Sequence, residues 1–211
     1  MICKNFLYLS IIFVFSMLSV NALEKASVKF EENLIDYSVL DAQQVLNEAD
    51  LFFEKYEQTL DKKYLSTAMG KYYIMSQIRP VDMYINVQLA RTYDIANLDR
   101  IAKQYFSIGY DINKKDPYLN YYNGDFYYKR KSYKKALRFF KIAYNNGYND
   151  YYDLNLKIAT IYEKFADLKN AQYYYERAYS LNPSSSYLKD KALQIQSLDY
   201  DKSEYYHTIR Y

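Results

Sequence analysis

The spacing of small residues limits what this chain can fold into more than any other feature. Ala136, Phe140 and Ala143 stand at i, i+4 and i+7, so they line one face of a helix. The same trio recurs as Ala171, Tyr175 and Ala178, as Ala102, Phe106 and Gly109, and as Ala68, Tyr72 and Met75. The first members of these trios lie 34, 34 and 35 residues apart. A second series runs in register with the first. Ala90, Gly124 and Ala159 each precede a trio by twelve residues, and each is followed three residues later by Tyr93, Tyr127 or Tyr162. Two periodicities in register describe a stack of helical hairpins. The first helix of each hairpin carries the small residue and the tyrosine, and the second carries the small–aromatic–small face. A small residue lets two helices approach, and the opposing aromatic fills the space. One hairpin cannot bury its own apolar face, so neighbours must stack and share a core.

Composition agrees with this. Four Gly and three Pro in 211 residues argue against a turn-rich β fold and for long helices. Pro80, Pro117 and Pro183 all follow helical stretches, where they leave the hydrogen-bond ladder intact. Gly147 reads as a helix stop.

At these residues the chain resembles the tetratricopeptide repeat family, over about two thirds of its length. The resemblance implies an all-α, right-handed superhelical solenoid of helix-turn-helix hairpins. Its units run at about 49–82, 83–116, 117–151 and 152–185, within a helical array at 39–198. The first unit is degenerate, with Tyr56 at the small position and Thr59 at the tyrosine position. Asn86, Asn120 and Asn155 stand where the family usually has a large first-helix residue. After Pro183 the sequence predicts one capping helix, and residues 199–211 read as a flexible tail.

The first 22 residues read as a secretory signal peptide. Lys4 supplies the positive end, Phe6 to Val20 the apolar region, and Val20-Asn21-Ala22 the cleavage site. Fifteen residues of helix span roughly 22 Å, short of the ~30 Å hydrocarbon layer. Residues 23–38 read as a linker. The expectation is an exported protein, periplasmic or secreted, or associated with the envelope. Cys3 leaves with the signal, and the mature chain keeps 27 basic and 25 acidic residues. A membrane-tethered spacer with an uncleaved N-terminal helix is one alternative reading, and a self-associating repeat protein is another.

Chemistry is sparsely represented. One Cys and one His exclude an internal disulfide and any Cys₄, Cys₂His₂ or His₃ zinc site. His207 lies in the expected tail, where no held geometry for a general base is expected. Gly70, Gly109, Gly124 and Gly147 are isolated and form no phosphate loop. The reading is therefore not an enzyme, with no catalytic, metal or cofactor-binding residues and no cofactor. The run Lys129–Lys135 falls at a repeat turn, where solvated cations are expected, so nucleic acid is not an expected partner.

The resemblance instead implies binding of a protein or extended peptide in the concave groove lined by first helices, as a scaffold or assembly factor. The groove positions it implies are Tyr84, Val87, Arg91 and Asp94, then Tyr118, Tyr121, Asp125 and Tyr128, then Asp153, Leu156, Thr160 and Glu163. Tyr118, Tyr121 and Tyr128 are the sharpest candidates, because tyrosine offers apolar area and a hydroxyl at low entropic cost. The Lys/Asn pair with which some members clamp a C-terminal carboxylate is absent, since Val87/Arg91 and Tyr121/Asp125 occupy its places.

Overall fold

The structure is a computed structural model that describes residues 41–208, with side chains to residue 197. The expected signal segment and linker lie outside the described residues. Contacts divide the chain into Met1–Asp41 and Ala42–Tyr211, and the described helices all belong to the second unit. Its described residues are all-α, with no strand. The helices are α1 (Ala42–Thr59), α2 (Lys62–Ile78), α3 (Met83–Ile95), α4 (Asp99–Ile112), α5 (Pro117–Lys129), α6 (Tyr133–Ala143), α7 (Tyr152–Lys164), α8 (Leu168–Leu181) and α9 (Ser186–Thr208). A wide turn, Tyr144–Tyr148, extends α6, and within it Gly147, at a φ of 119°, breaks the helical path.

Local chemistry fixes the helix starts. Asp61, Asp82, Asp116 and Asp167 each accept a hydrogen bond from a backbone N–H of the adjoining first turn. Pro117 opens α5, where a missing N–H costs nothing. The helix pairs α1–α2, α3–α4, α5–α6 and α7–α8 are hairpins. Their turns each hold one residue at positive φ: Leu60, Asn97, Lys131 and Ala166, at 56–61°. Of these only Asn tolerates the left-handed region readily.

The sequence trios form the core. Ala102, Phe106, Ala136, Phe140, Ala143, Ala171, Tyr175 and Ala178 are all buried, as are Ala68, Tyr72 and Met75 of the degenerate first unit. Ala90, Gly124 and Ala159 face them. A Cβ on Gly124 would stand 2.6 Å from Cε1 of Phe140, so the ring occupies the space that the glycine leaves open. The tyrosines three residues further on make a second repeating contact. Tyr93 stacks on Tyr105, Tyr127 on Phe139 and Tyr162 on Tyr174, at 5.5, 5.6 and 5.7 Å between ring centres and within 14° of parallel.

The three asparagines at the large-residue position are also explained. Asn86, Asn120 and Asn155 are buried, and each Nδ2 donates to two carbonyls of the preceding inter-repeat loop. The acceptors are Pro80 and Asp82, Lys114 and Asp116, and Asn149 and Tyr151, at 2.7–3.0 Å. A polar fastener thus replaces a bulky apolar one.

The first helix starts at Ala42, inside the helical array expected from residue 39 and ahead of the start at about 49 expected for the first unit. The backbone of the expected tail is helical as far as Thr208. No Gly or Pro comes after Pro183, so nothing in the sequence interrupts α9.

Two substitutions test the packing. Gly124→Ala gains helix propensity of ~1 kcal/mol but forces the Phe140 ring to move, so it should lower unfolding free energy by about 1–2 kcal/mol net. Adding Phe140→Leu should restore part of the loss, and urea titration of the three variants measures both effects. Ala166→Gly removes a left-handed non-glycine residue at an exposed turn and should raise stability by about 0.5–1 kcal/mol, read as a higher urea midpoint.

Candidate functional site

The first helices α1, α3, α5 and α7 present corresponding positions to one another, and their side chains form a continuous polar and aromatic wall. At its centre lies Arg91. Its guanidinium sits 3.9 Å from the centre of the Tyr122 ring and 4.6 Å from that of Phe53. It donates to Glu57 at 2.9 Å, to Gln88 at 2.6 Å and to the Tyr118 hydroxyl at 3.3 Å. Gln88 in turn donates to the Tyr84 hydroxyl, and Tyr84 and Tyr72 both donate to Asp50, at 2.8 and 2.6 Å. Burial and the Asp50 carboxylate push the Tyr84 hydroxyl up to about 12. These phenols remain neutral donors across the physiological range.

Beyond Arg91 the wall continues as an alternating ionic ladder. Lys129 bridges Asp94 and Asp125, at 3.1 and 2.9 Å. Lys157 bridges Asp125 and Asp153, at 2.6 and 2.7 Å. Arg130 reaches Asp94 at 2.7 Å and also pairs with Asp99. The Tyr121 hydroxyl donates to Asp153. At the far end Lys191 of α9 and the Tyr175 hydroxyl both bond Glu163, each at 2.6 Å. Burial alone would raise the Asp125 carboxyl; the ammonium groups of Lys157 and Lys129 outweigh it and hold the group below its ordinary value. Lys157 and Lys129 are raised in return, because the carboxylate attraction exceeds their desolvation.

The tyrosines along this wall touch one another in series. Ring centres run Tyr84–Tyr118 at 5.8 Å, Tyr118–Tyr122 at 4.7 Å, Tyr122–Tyr121 at 4.9 Å and Tyr121–Tyr151 at 5.0 Å, the last three edge to face. Tyr148 closes the seam on Tyr151 at 5.4 Å.

The geometry corrects several sequence expectations. Val87 is fully buried beside Gly109 and belongs to the core. Tyr121 is 6% exposed and acts as packing, not as an open anchor. Asp125 and Asp94 are members of the ladder, with little surface of their own. Tyr128 does not join Tyr118; its ring lies against Tyr133 and Phe140. Tyr84, Arg91 and Tyr118 stand together as one half-buried cluster. Leu156 is half-buried against the C-terminal core. Thr160 donates to the Leu156 carbonyl, and Asp153 and Glu163 hold ladder partners.

Sequence reasoning missed Tyr122, Tyr151, Gln88 and Lys157. Tyr122 falls one residue off a position taken from the family, Tyr151 lies in the loop before α7, and Lys157 was visible only as the i+4 partner of Asp153. Among the described residues no group of three His, Cys, Asp or Glu is placed to hold a metal. No helix there is long and apolar enough to cross a membrane.

No protein-family model and no curated protein matches the sequence. Solved structures do resemble it. A MamA protein aligns with a TM-score of 0.55 at 16% identity, over 77% of this chain and 92% of that one. PilF of Pseudomonas aeruginosa aligns with a TM-score of 0.61 at 14% identity, over 78% of this chain and 72% of that one. YrrB, described as a TPR protein with an unusual peptide-binding site, aligns with a TM-score of 0.59 at 16% identity, over 76% of this chain and 78% of that one. The chain therefore has the tetratricopeptide-repeat fold.

The ladder makes stability acid-sensitive. The Asp125 carboxyl is depressed in the folded chain relative to about 3.9 when unfolded, so its contribution is complete above that value and is lost as pH falls through the lower folded value. The urea midpoint should drop between pH 5 and pH 3. It should drop less in Asp125→Asn, which already lacks the titrating group.

Proposed function

We propose that this protein is an exported, non-catalytic repeat scaffold. It binds an extended segment of another protein along the first-helix wall. The observation that carries the reading is the tyrosine seam through Tyr84, Tyr118, Tyr122 and, by way of the buried Tyr121, Tyr151, which runs from the second repeat across the third to the loop before α7, beside the Arg91 cluster. Tyrosine is enriched where proteins meet, because its ring buries area while its hydroxyl keeps a hydrogen bond. The helices are held before any partner arrives, which lowers the ordering cost of binding. YrrB, of the same fold, has a peptide-binding site by its description, which supports the choice of a peptide-like ligand.

Export rests on the N-terminal layout of Lys4, the apolar stretch Phe6 to Val20 and the Val20-Asn21-Ala22 cleavage site. The expected mature N-terminus is Leu23, and sequencing of the native protein checks it; Met1 as the first residue would support the tethered alternative.

The wall is tested with Tyr118→Ala combined with Tyr151→Ala, which spares the buried Tyr121. Partners recovered from envelope extracts by the unaltered chain should fall about tenfold or more with the double variant. Equal recovery at an unchanged circular dichroism spectrum would rule the wall out.

A further inference from the structure

The cations of the first-helix wall are spent on neighbouring carboxylates, whereas those of α6 are not. Lys134, Lys135, Arg138 and Lys141 lie on α6, with Lys131 in the turn before it, and all five are exposed. The helix contains no acidic residue. Among the described residues none of the five has a carboxylate within ion-pair distance. Three of them rest on aromatic rings instead: Lys135 on Tyr127 at 5.4 Å, Arg138 on Phe139 at 4.8 Å and Lys141 on Tyr162 at 5.4 Å. The rings support the apolar stems and leave the charged heads outward.

The repeat supplies its own control. The positions of Arg138 are filled by Gln104 in α4 and Tyr173 in α8, and those of Lys141 by Ser107 and Glu176. Lys135 likewise has Ile101 and Asn170 as counterparts, whereas Lys134 is matched by Arg100 and Lys169, so the charge particular to α6 is that of Lys135, Arg138 and Lys141. Beside its first turn is an open depression of about 360 Å³, lined by Lys131, Ser132, Tyr133, Lys134, Lys135 and Phe165. Phe165 is 42% exposed, and its counterparts in the two preceding repeats are Arg130 and Ala96.

We propose that the outer face of α6 docks an acidic protein segment carrying one aromatic or large aliphatic side chain, which enters the depression against Phe165. Charge complementarity selects the carboxylates, and the exposed ring selects the apolar anchor. The narrowness of the charge selects a segment over a broad anion. The four helix cations extend over roughly 10 Å. The second helices of the repeats to either side mix exposed charges of both signs, Asp111 with Arg100 and Lys103 on α4 and Glu176 with Lys169 on α8. A ligand lying along α6 meets cations alone. A membrane plane or a nucleic-acid duplex spanning several helices also meets those carboxylates.

The test uses the full chain and a labelled heptapeptide of three glutamates, one phenylalanine and three glutamates, with fluorescence anisotropy read at low salt. Saturable binding is expected, weakened about tenfold or more by Lys134→Gln, Arg138→Gln and Lys141→Gln together. These residues are exposed, so the thermal transition should not move, and a variant that fails to fold is replaced by Arg138→Gln with Lys141→Gln alone. Phe165→Ala, or serine in place of the peptide phenylalanine, should weaken binding several-fold. Tyr118→Ala with Tyr151→Ala should leave it unchanged, which separates this face from the first-helix wall. No saturable binding, or equal binding by the neutralised variant, overturns the proposal. Tighter binding of an oligothymidylate or of phosphatidylserine vesicles, lost in the same variant, overturns it in favour of a phosphate ligand.

Discussion

The close approach of the two helices in each hairpin is the constraint on which the rest depends. Gly124 faces Phe140, and Ala90 and Ala159 are buried in the same cores as Phe106 and Tyr175. Gly124 shows how little slack exists, since even a methyl group there meets the Phe140 ring. Once the helices are that near, Tyr93, Tyr127 and Tyr162 are brought into parallel contact with the aromatics of the second helix. The first helices then line up as a wall and the second helices as the opposite surface.

The two surfaces handle charge in opposite ways. The wall is partly buried, and a charge in such a place costs free energy unless paired. Arg91, Lys129 and Lys157 along it are accordingly matched by carboxylates, and its tyrosine hydroxyls donate to Asp50, Asp153 and Glu163. The outer face of α6 is solvated, where an unpaired lysine costs little. A net formal charge of +3 for the whole chain hides this segregation.

Much of the fold was legible in the sequence because it rests on residue size at fixed spacing. Ala136, Phe140 and Ala143 announce a buried helix face whatever surrounds them. The wall was less legible, because it depends on which side of a first helix a residue takes. Val87 and Tyr121 share the position of Phe53 and turn inward, while Tyr122, one residue on, faces Arg91. One residue is about 100° of helix, and a carried-over position cannot resolve that when tyrosine occupies both places. The asparagines were legible only as departures from the family. Their reason, a bond to the loop six residues earlier, exists only once the hairpins stack. The end of α9 was missed because an absence of hydrophobic period was read as an absence of helix.

The polar links of the wall have a consequence for how the array comes apart. They join Asp50 to Tyr84, Glu57 to Arg91, Arg91 to Tyr118, Asp94 to Lys129, Asp125 to Lys157 and Glu163 to Lys191. The first five each span from one repeat to the next, and the last ties the fourth repeat to the capping helix. In a solenoid, stability is a sum of unit terms and nearest-neighbour terms, and these contacts enlarge the second kind. The correlation length along the stack therefore grows. Loss of a hairpin at one end weakens its neighbour, which favours unfolding of the units together.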